Sequence, residues 1–246
     1  MVFLYFIYEW LIFMPLFILT TIITATIVML GCRFGNPDFW GYYPGVIWGR
    51  IVVALALCPC KVEGKENLDP KQSYVFVANH QGAADIPLLF GYLGQPFRWM
   101  LRKGIMKIPF MGKACDKSGQ IWVDESGAKG IIHTVRQALS TLKNGKSVII
   151  FPEGTRSKNG HLNRFKKGAF SIAAMLKLPV VPVTLEGPYK VLRKGSIQLH
   201  PTRMKVTIHK PIPAVTKEEG NEAGVERLLH ESQRVIAESL GEPIQK

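Results

Sequence analysis

Two patterns of apolar residues divide the 246-residue chain. From Trp10 to Cys32 the run WLIFMPLFILTTIITATIVMLGC carries no charge. Those 23 residues would make a helix of about 34 Å, enough for a hydrocarbon layer of roughly 30 Å. Pro15 predicts a disturbance in that helix. A turn at Gly35-Asn36-Pro37-Asp38 follows, then a second apolar stretch over residues 39–60, broken only by Arg50. Trp40, Tyr42 and Tyr43 suit a membrane boundary. Arg50 argues against a second full span, because a charge at the bilayer centre costs at least about 2.5 kcal/mol. Residues 1–60 therefore read as a membrane-anchoring helical pair. The pair is either one span followed by a surface-lying helix, or a hairpin with both ends on one side. Its long apolar run and missing basic leader set it apart from a cleaved signal.

Beyond residue 60 the pattern becomes short apolar runs alternating with helical periodicity. The runs predict strands at Tyr74–Ala78, Arg98–Leu101, Gln120–Val123, Ser147–Phe151, Val180–Leu185, Ile197–Leu199 and Lys205–Ile208. Helices are predicted at Ala84–Leu93, Ile105–Cys115, Ala128–Lys143, Gly168–Leu176 and Lys217–Leu240, the third stopped by Asn144-Gly145. Such alternation gives an α/β class: a mixed, mostly parallel sheet flanked by helices, forming a second domain over residues 61–246.

Charge sharpens the division. Arg33, Arg50, Glu9 and Asp38 cancel within residues 1–60, so the whole net charge of +13 sits on residues 61–246. It is clumped. No acid separates Arg98, Arg102, Lys103, Lys107 and Lys113, nor Arg156, Lys158, Arg164, Lys166 and Lys167. A basic face beside an apolar anchor attracts anionic lipid headgroups. No nucleic-acid-binding motif accompanies it, and nucleic acid is not an expected partner. The four cysteines and scattered histidines lack metal-ligand spacing, so no metal is expected, and the thiols fit a reducing compartment.

Two strings carry candidate chemistry. NHQGAAD (residues 79–85) places His80 at the end of a predicted buried strand and Asp85 five positions later. A turn at Gly82 would fold Asp85 back onto the imidazole, fixing its tautomer and leaving the other nitrogen as a base. A histidine that merely caps a helix fits the same string. FPEGTRS (residues 151–157) follows another predicted strand. Pro152 ends the ladder, Gly154 permits close backbone approach, and Arg156 offers a planar fork of donors to a phosphate or carboxylate. Alone, this string also fits a surface turn in which Glu153 and Arg156 pair.

Together the strings resemble the 1-acyl-sn-glycerol-3-phosphate acyltransferase family of H-x4-D glycerolipid acyltransferases. The resemblance runs from about Val62 to about Pro213. It includes Asn79-His80-Gln81 with Asp85, the whole of Phe151–Ser157, Val181-Pro182-Val183, the stretch RKGIMKIPFMG (residues 102–112) and FKKGAF (residues 165–170). The family's second block usually ends in arginine; here Asp124 is followed by Glu125. Where the family often has lysine, this chain has Arg102, with Lys103 beside it.

The resemblance implies an enzyme that transfers an acyl chain from acyl carrier protein or coenzyme A to the sn-2 hydroxyl of lysophosphatidic acid, giving phosphatidic acid. His80 would be the general base and Asp85 its orienter. Arg156, Arg102 and Lys103 would hold the substrate phosphate, with Glu153, Gly154 and Thr155 shaping that pocket. Backbone N–H groups near the helix start after His80 are candidates for the oxyanion. No cofactor is implied beyond the thioester co-substrate. The implied partners are membrane lipids, and the implied location is a bacterial inner membrane with the catalytic domain facing the cytoplasm. Transfer to another lysolipid, such as a lyso-aminolipid, stays open because of Glu125. A thioesterase or lipid hydrolase using the same pair with water, and a non-catalytic headgroup-binding adaptor, are the rivals from other classes.

Overall fold

The computed structural model describes residues 2–124, 127–143, 145–193 and 195–244. Glu125 and the Asn144 helix stop lie outside the described residues.

The apolar first quarter folds as an antiparallel helical hairpin. Its first arm runs through α1 (Val2–Tyr8), a π-helical turn (Glu9–Phe13) and α2 (Met14–Phe34). The π turn is the disturbance expected at Pro15. Proline has no N–H to offer the preceding turn, and the ladder widens just upstream of it. The Asn36 side chain accepts from the Asp38 N–H at 2.8 Å and caps the short helix α3 (Pro37–Trp40). Helix α4 (Tyr43–Leu55) then runs back along α2. Tyr5 and Tyr8 donate their hydroxyls to the Ala56 and Leu55 carbonyls at 3.2 and 2.8 Å, and Trp48 Nε1 donates to Thr21 Oγ1 at 3.0 Å. The two apolar segments thus lie side by side and antiparallel. Leu4–Phe34 is long and apolar enough to cross a membrane, and only 17% of its most apolar window is buried.

Strands β1 (Cys60–Glu63), β2 (Val75–Ala78), β3 (Phe97–Arg102), β4 (Ile121–Val123), β5 (Ser147–Ile150), β6 (Val180–Glu186) and β7 (Met204–Ile208) form one sheet in the order β1-β7-β6-β2-β5-β3-β4. Every neighbouring pair is parallel except β6 with β7, which gives the mixed, mostly parallel sheet expected from the alternation. β2 lies near the middle and is buried on both faces. Phe76 and Ala78 pack into a cluster with α4 and α5 (Asp85–Tyr92). Val75 and Val77 pack into the opposite cluster with α7 (Gly127–Lys143), α8 (Gly168–Leu176) and α10 (Asn221–Leu240). Helices α6 (Met111–Lys117) and α9 (Pro188–Val191) complete the chain. The first cluster also takes in Phe13, Val52 and Val53, so hairpin and sheet share one apolar core.

Four elements depart from expectation. β1 was not anticipated; it is a half-exposed strand whose four residues lack the apolar run that announces a strand. Ile197–Leu199 is not a strand. Its backbone is held instead by Glu9, whose Oε1 accepts from the Leu199 N–H at 3.0 Å. The helix expected at Ile105–Cys115 splits into a 3₁₀ turn (Lys103–Lys107) and α6, because Pro109 forces Ile108 out of the helical region, to ψ 120°. The last helix begins at Asn221 rather than Lys217, after Gly220 with φ +75°.

The hairpin meets α5 through glycines. A Cβ placed on Gly49 of α4 would lie 2.4 Å from the Pro87 carbonyl oxygen and 2.8 Å from the Gly91 nitrogen of α5. Arg50 Nε donates to the Gly91 carbonyl at 3.0 Å from the same contact. Small residues let the two backbones meet, and α5 begins with Asp85. Gly49→Val is expected to wedge the helices apart and lower unfolding free energy by about 1–3 kcal/mol. Gly104→Ala, which meets nothing within 4 Å, is the control and should be near neutral. Denaturant melts of the detergent-solubilised protein check both.

Candidate active site

β2 ends at Ala78, and the chain leaves the sheet through Asn79 and His80. Asn79 extends the ladder with its side chain. Its Nδ2 donates to the Leu185 carbonyl at 2.9 Å and its Oδ1 accepts from the Leu185 N–H at 2.7 Å. His80 therefore stands at the carboxyl end of the parallel strands, where open α/β sheets place their sites.

Asp85 folds back as its spacing predicted. Its Oδ2 lies 2.6 Å from His80 Nδ1 and also accepts the N–H groups of Gln81 (2.7 Å) and Gly82 (2.9 Å). The carboxylate is fully buried. Burial pushes its carboxyl above the usual carboxylate range, opposed by His80 and the two N–H groups. The His80 ring stacks on Phe151 at 3.9 Å between centroids and 9° between planes. Its side chain keeps 18% exposure. Among the described residues, Nε2 has no hydrogen-bond partner. Gly82 is small for a steric reason: a Cβ there would meet the Pro188 carbonyl oxygen at 2.9 Å.

The FPEGTRS loop lies against this turn. Glu153 does not pair with Arg156. Its Oε1 accepts the His80 backbone N–H at 2.7 Å, while its Oε2 accepts from Asn163 N (3.0 Å) and Asn163 Nδ2 (2.6 Å). The Ser157 N–H donates to the His80 carbonyl at 2.8 Å. Both sides of the His80 peptide are thus tied to the second string, and Arg156 sits between the two ties. Glu153 is buried, and burial pushes its carboxyl up against the pull of these N–H donors.

Cations gather at the rim. Arg102, the last residue of β3, donates from Nη2 to the Gly154 carbonyl at 2.6 Å. Gly154 has φ +73°, and the Lys166 Nζ would stand 2.9 Å from a Cβ placed on it. Arg156 is half-buried and forms no ion pair among the described residues; Thr155 is exposed. Lys103 is turned aside, with its Nζ 2.5 Å from Asp124 Oδ2. The structure therefore brings His80, Asp85, Arg102, Glu153, Gly154, Thr155 and Arg156 into one region, with Lys103 engaged at its edge.

Three features escaped the sequence. Asn163 braces Glu153 from ten residues away, Phe151 supports the imidazole face, and Lys166 leans over Gly154. FKKGAF was the available signal for Lys166. The Gln81 and Gly82 N–H groups, candidates for an oxyanion, are committed to Asp85. Chemically, the arrangement offers a partly exposed imidazole oriented by a buried carboxylate, with cationic side chains on the adjoining loop and strand end.

Comparison with known proteins places the chain in a family. The sequence profile of the acyltransferase family matches residues 59–186, over half the chain, and the chain belongs to that family. It is 39% identical over 229 residues to the chloroplastic 1-acyl-sn-glycerol-3-phosphate acyltransferase of Arabidopsis thaliana, covering 89% of this chain and 62% of the relative. It is 37% identical over 162 residues to the 1-acyl-sn-glycerol-3-phosphate acyltransferase of Saccharomyces cerevisiae, covering 62% of this chain and 51% of that one. The chain thus spans less than two thirds of the length of these relatives. The crystal structure of the 1-acyl-sn-glycerophosphate acyltransferase of Thermotoga maritima superposes with a TM-score of 0.70 at 25% identity, covering 94% of this chain and 98% of that one.

Asp85→Asn tests the electrostatics. A carboxyl whose pKa is raised by folding favours the folded state only below its unfolded pKa, and that benefit is lost as pH rises through the folded value. Whatever stability Asp85 adds through its titration is therefore greatest at low pH and falls as pH rises. Asparagine can present its oxygen to the same three donors, so the substitution removes the charge while keeping those contacts. The melting temperature at neutral pH should equal or exceed that of the native protein, and the difference should shrink as pH falls towards about 4. A large loss at neutral pH would contradict this assignment.

Proposed function

We propose that the protein transfers an acyl chain from a thioester of acyl carrier protein or coenzyme A to the sn-2 hydroxyl of lysophosphatidic acid, releasing phosphatidic acid. One observation carries the reading. The backbone on both sides of His80 is bonded to the loop that holds Arg156. Those two ties support reading His80 as the base and Arg156 as the anion fork of one site.

His80 Nε2 takes the hydroxyl proton while Asp85 holds Nδ1 and stabilises the imidazolium. The alkoxide oxygen attacks the thioester carbonyl, a C–O bond forms and the C–S bond breaks. The departing thiolate takes the proton back from His80. Arg156 and Arg102 hold the phosphate, Lys166 adds a third cation, and Glu153, Gly154 and Thr155 keep that loop in shape. Lys103 contributes field from its pair with Asp124. Because Gln81 and Gly82 serve Asp85, the oxyanion is assigned to the next N–H groups, Ala83 and Ala84, at the start of α5.

The exposed apolar hairpin seats the protein in a membrane. The membrane is read as a bacterial inner membrane with the active face towards the cytoplasm, where acyl carriers reside. The free thiols of Cys32, Cys58, Cys60 and Cys115 support that reading.

His80→Ala should lower kcat at least about a hundredfold with little change in acceptor binding. Arg156→Ala should raise KM for lysophosphatidic acid about tenfold or more, since a charge-assisted bond is lost, and leave KM for the thioester nearly unchanged. An acyl-transfer assay in detergent with both substrates varied measures these effects. Equal rises in both KM values would remove Arg156 from the phosphate site.

A further inference from the structure

The segment Lys103–Lys113 has an exposed surface that the proposed chemistry does not use. Met106, Ile108 and Phe110 are each close to half exposed, at 47, 45 and 47%. They alternate with Lys107 and Lys113, which are exposed, and no acid occurs between Arg98 and Lys113. The backbone holds this surface in a strained form. Phe110 has φ +60° and ψ −53°, and the Met111 N–H donates across it to the Pro109 carbonyl at 2.6 Å, which is a γ-turn. A bulky residue rarely adopts positive φ. Gly112 packs under the turn, where a Cβ would strike the Met106 carbonyl oxygen at 2.3 Å.

The ends of the segment fix its place. At one end Arg102 is bonded to Gly154 at the candidate site. At the other, Ala114 of α6 packs on Ala25 and Val28 of α2, the long apolar helix. The segment therefore bridges the site and the helix that exposes Ile23, Ile27 and Leu30.

We infer that residues 103–113 form a second membrane-contacting element, which inserts Met106, Ile108 and Phe110 among the lipids of an anionic bilayer while Lys107 and Lys113 meet its headgroups. Apolar tips flanked by lysines match such a surface in both hydrophobicity and charge. Continuity with the exposed face of α2 names the bilayer, rather than a protein partner, as the occupant. The element holds the rim of the site against the membrane, so that a lipid acceptor reaches it without crossing water. This inference rests on the membrane seat proposed above.

Lipid contact can be read without any activity. A photoreactive benzoylphenylalanine is placed at Ile108 in the full chain, reconstituted into phosphatidylcholine vesicles containing phosphatidylglycerol. The same label at Met175, an exposed apolar residue of α8 on the far side of the sheet, is the control. Illumination should yield a phospholipid adduct at position 108 and not at 175. No adduct at 108, or equal adducts at both, overturns the inference whether or not the protein transfers acyl groups. In an active preparation, the double variant Met106→Ser with Ile108→Ser should need a roughly tenfold higher vesicle concentration for half-maximal rate, as expected for losing buried aliphatic side chains. Its rate on a short-chain, monodisperse acceptor should be unchanged. Equal loss on both acceptors would make the segment part of the catalytic machinery and overturn the inference.

Discussion

The carboxylate of Glu153 joins two loops that are far apart in sequence. With one oxygen on the His80 N–H and the other on Asn163, it replaces water for three donors in a buried place. A buried carboxylate is costly unless its oxygens are engaged, so this one constrains everything it touches. It sets the His80 peptide against the Phe151–Ser157 loop and lays the imidazole on the Phe151 ring. The bond from Ser157 N to His80 O closes the same joint from the other side. Without that joint, His80 and Arg156 would be two residues on separate strand ends.

The sheet gives the joint its rigidity. β2 and β5 are adjacent and parallel, so their last residues emerge side by side. Asn79 then carries the β2–β6 ladder one step beyond the last strand residue. Asp85 is held by the first turn of α5, and α5 is held by α4 through the contact of Gly49 with Pro87 and Gly91. The hairpin therefore does more than supply apolar surface. It packs directly on the helix whose first residue holds the imidazole, which couples the exposed apolar hairpin to the geometry of His80.

Much of this was legible in the sequence, for definable reasons. Short β-branched runs announced β2, β5 and β6 because strands buried on both faces need continuous apolar residues. The five-residue step from His80 to Asp85 was readable because a strand, turn and helix start leave few ways to place a carboxylate. Glu153 is legible as part of the FPEGTRS pocket, but its partners are not. Two of its three donors are backbone N–H groups, which leave no mark in the sequence, and the third comes from Asn163 in a loop without periodicity. Ile197–Leu199 has strand composition, yet a partner from residue 9 decides its conformation. Ile105–Cys115 has helical spacing, yet one proline divides it. In each case a contact distant in sequence, or a single backbone restriction, overrode local pattern.

The central claim is geometric: one acceptor molecule spans from the imidazole to the cations on the neighbouring loop. A crystal structure with lysophosphatidic acid bound tests it most directly. The expected density places the phosphate within hydrogen-bond reach of Arg156 and Arg102 and the sn-2 hydroxyl within reach of His80 Nε2. A phosphate bound elsewhere, or a hydroxyl turned away from the ring, would contradict it.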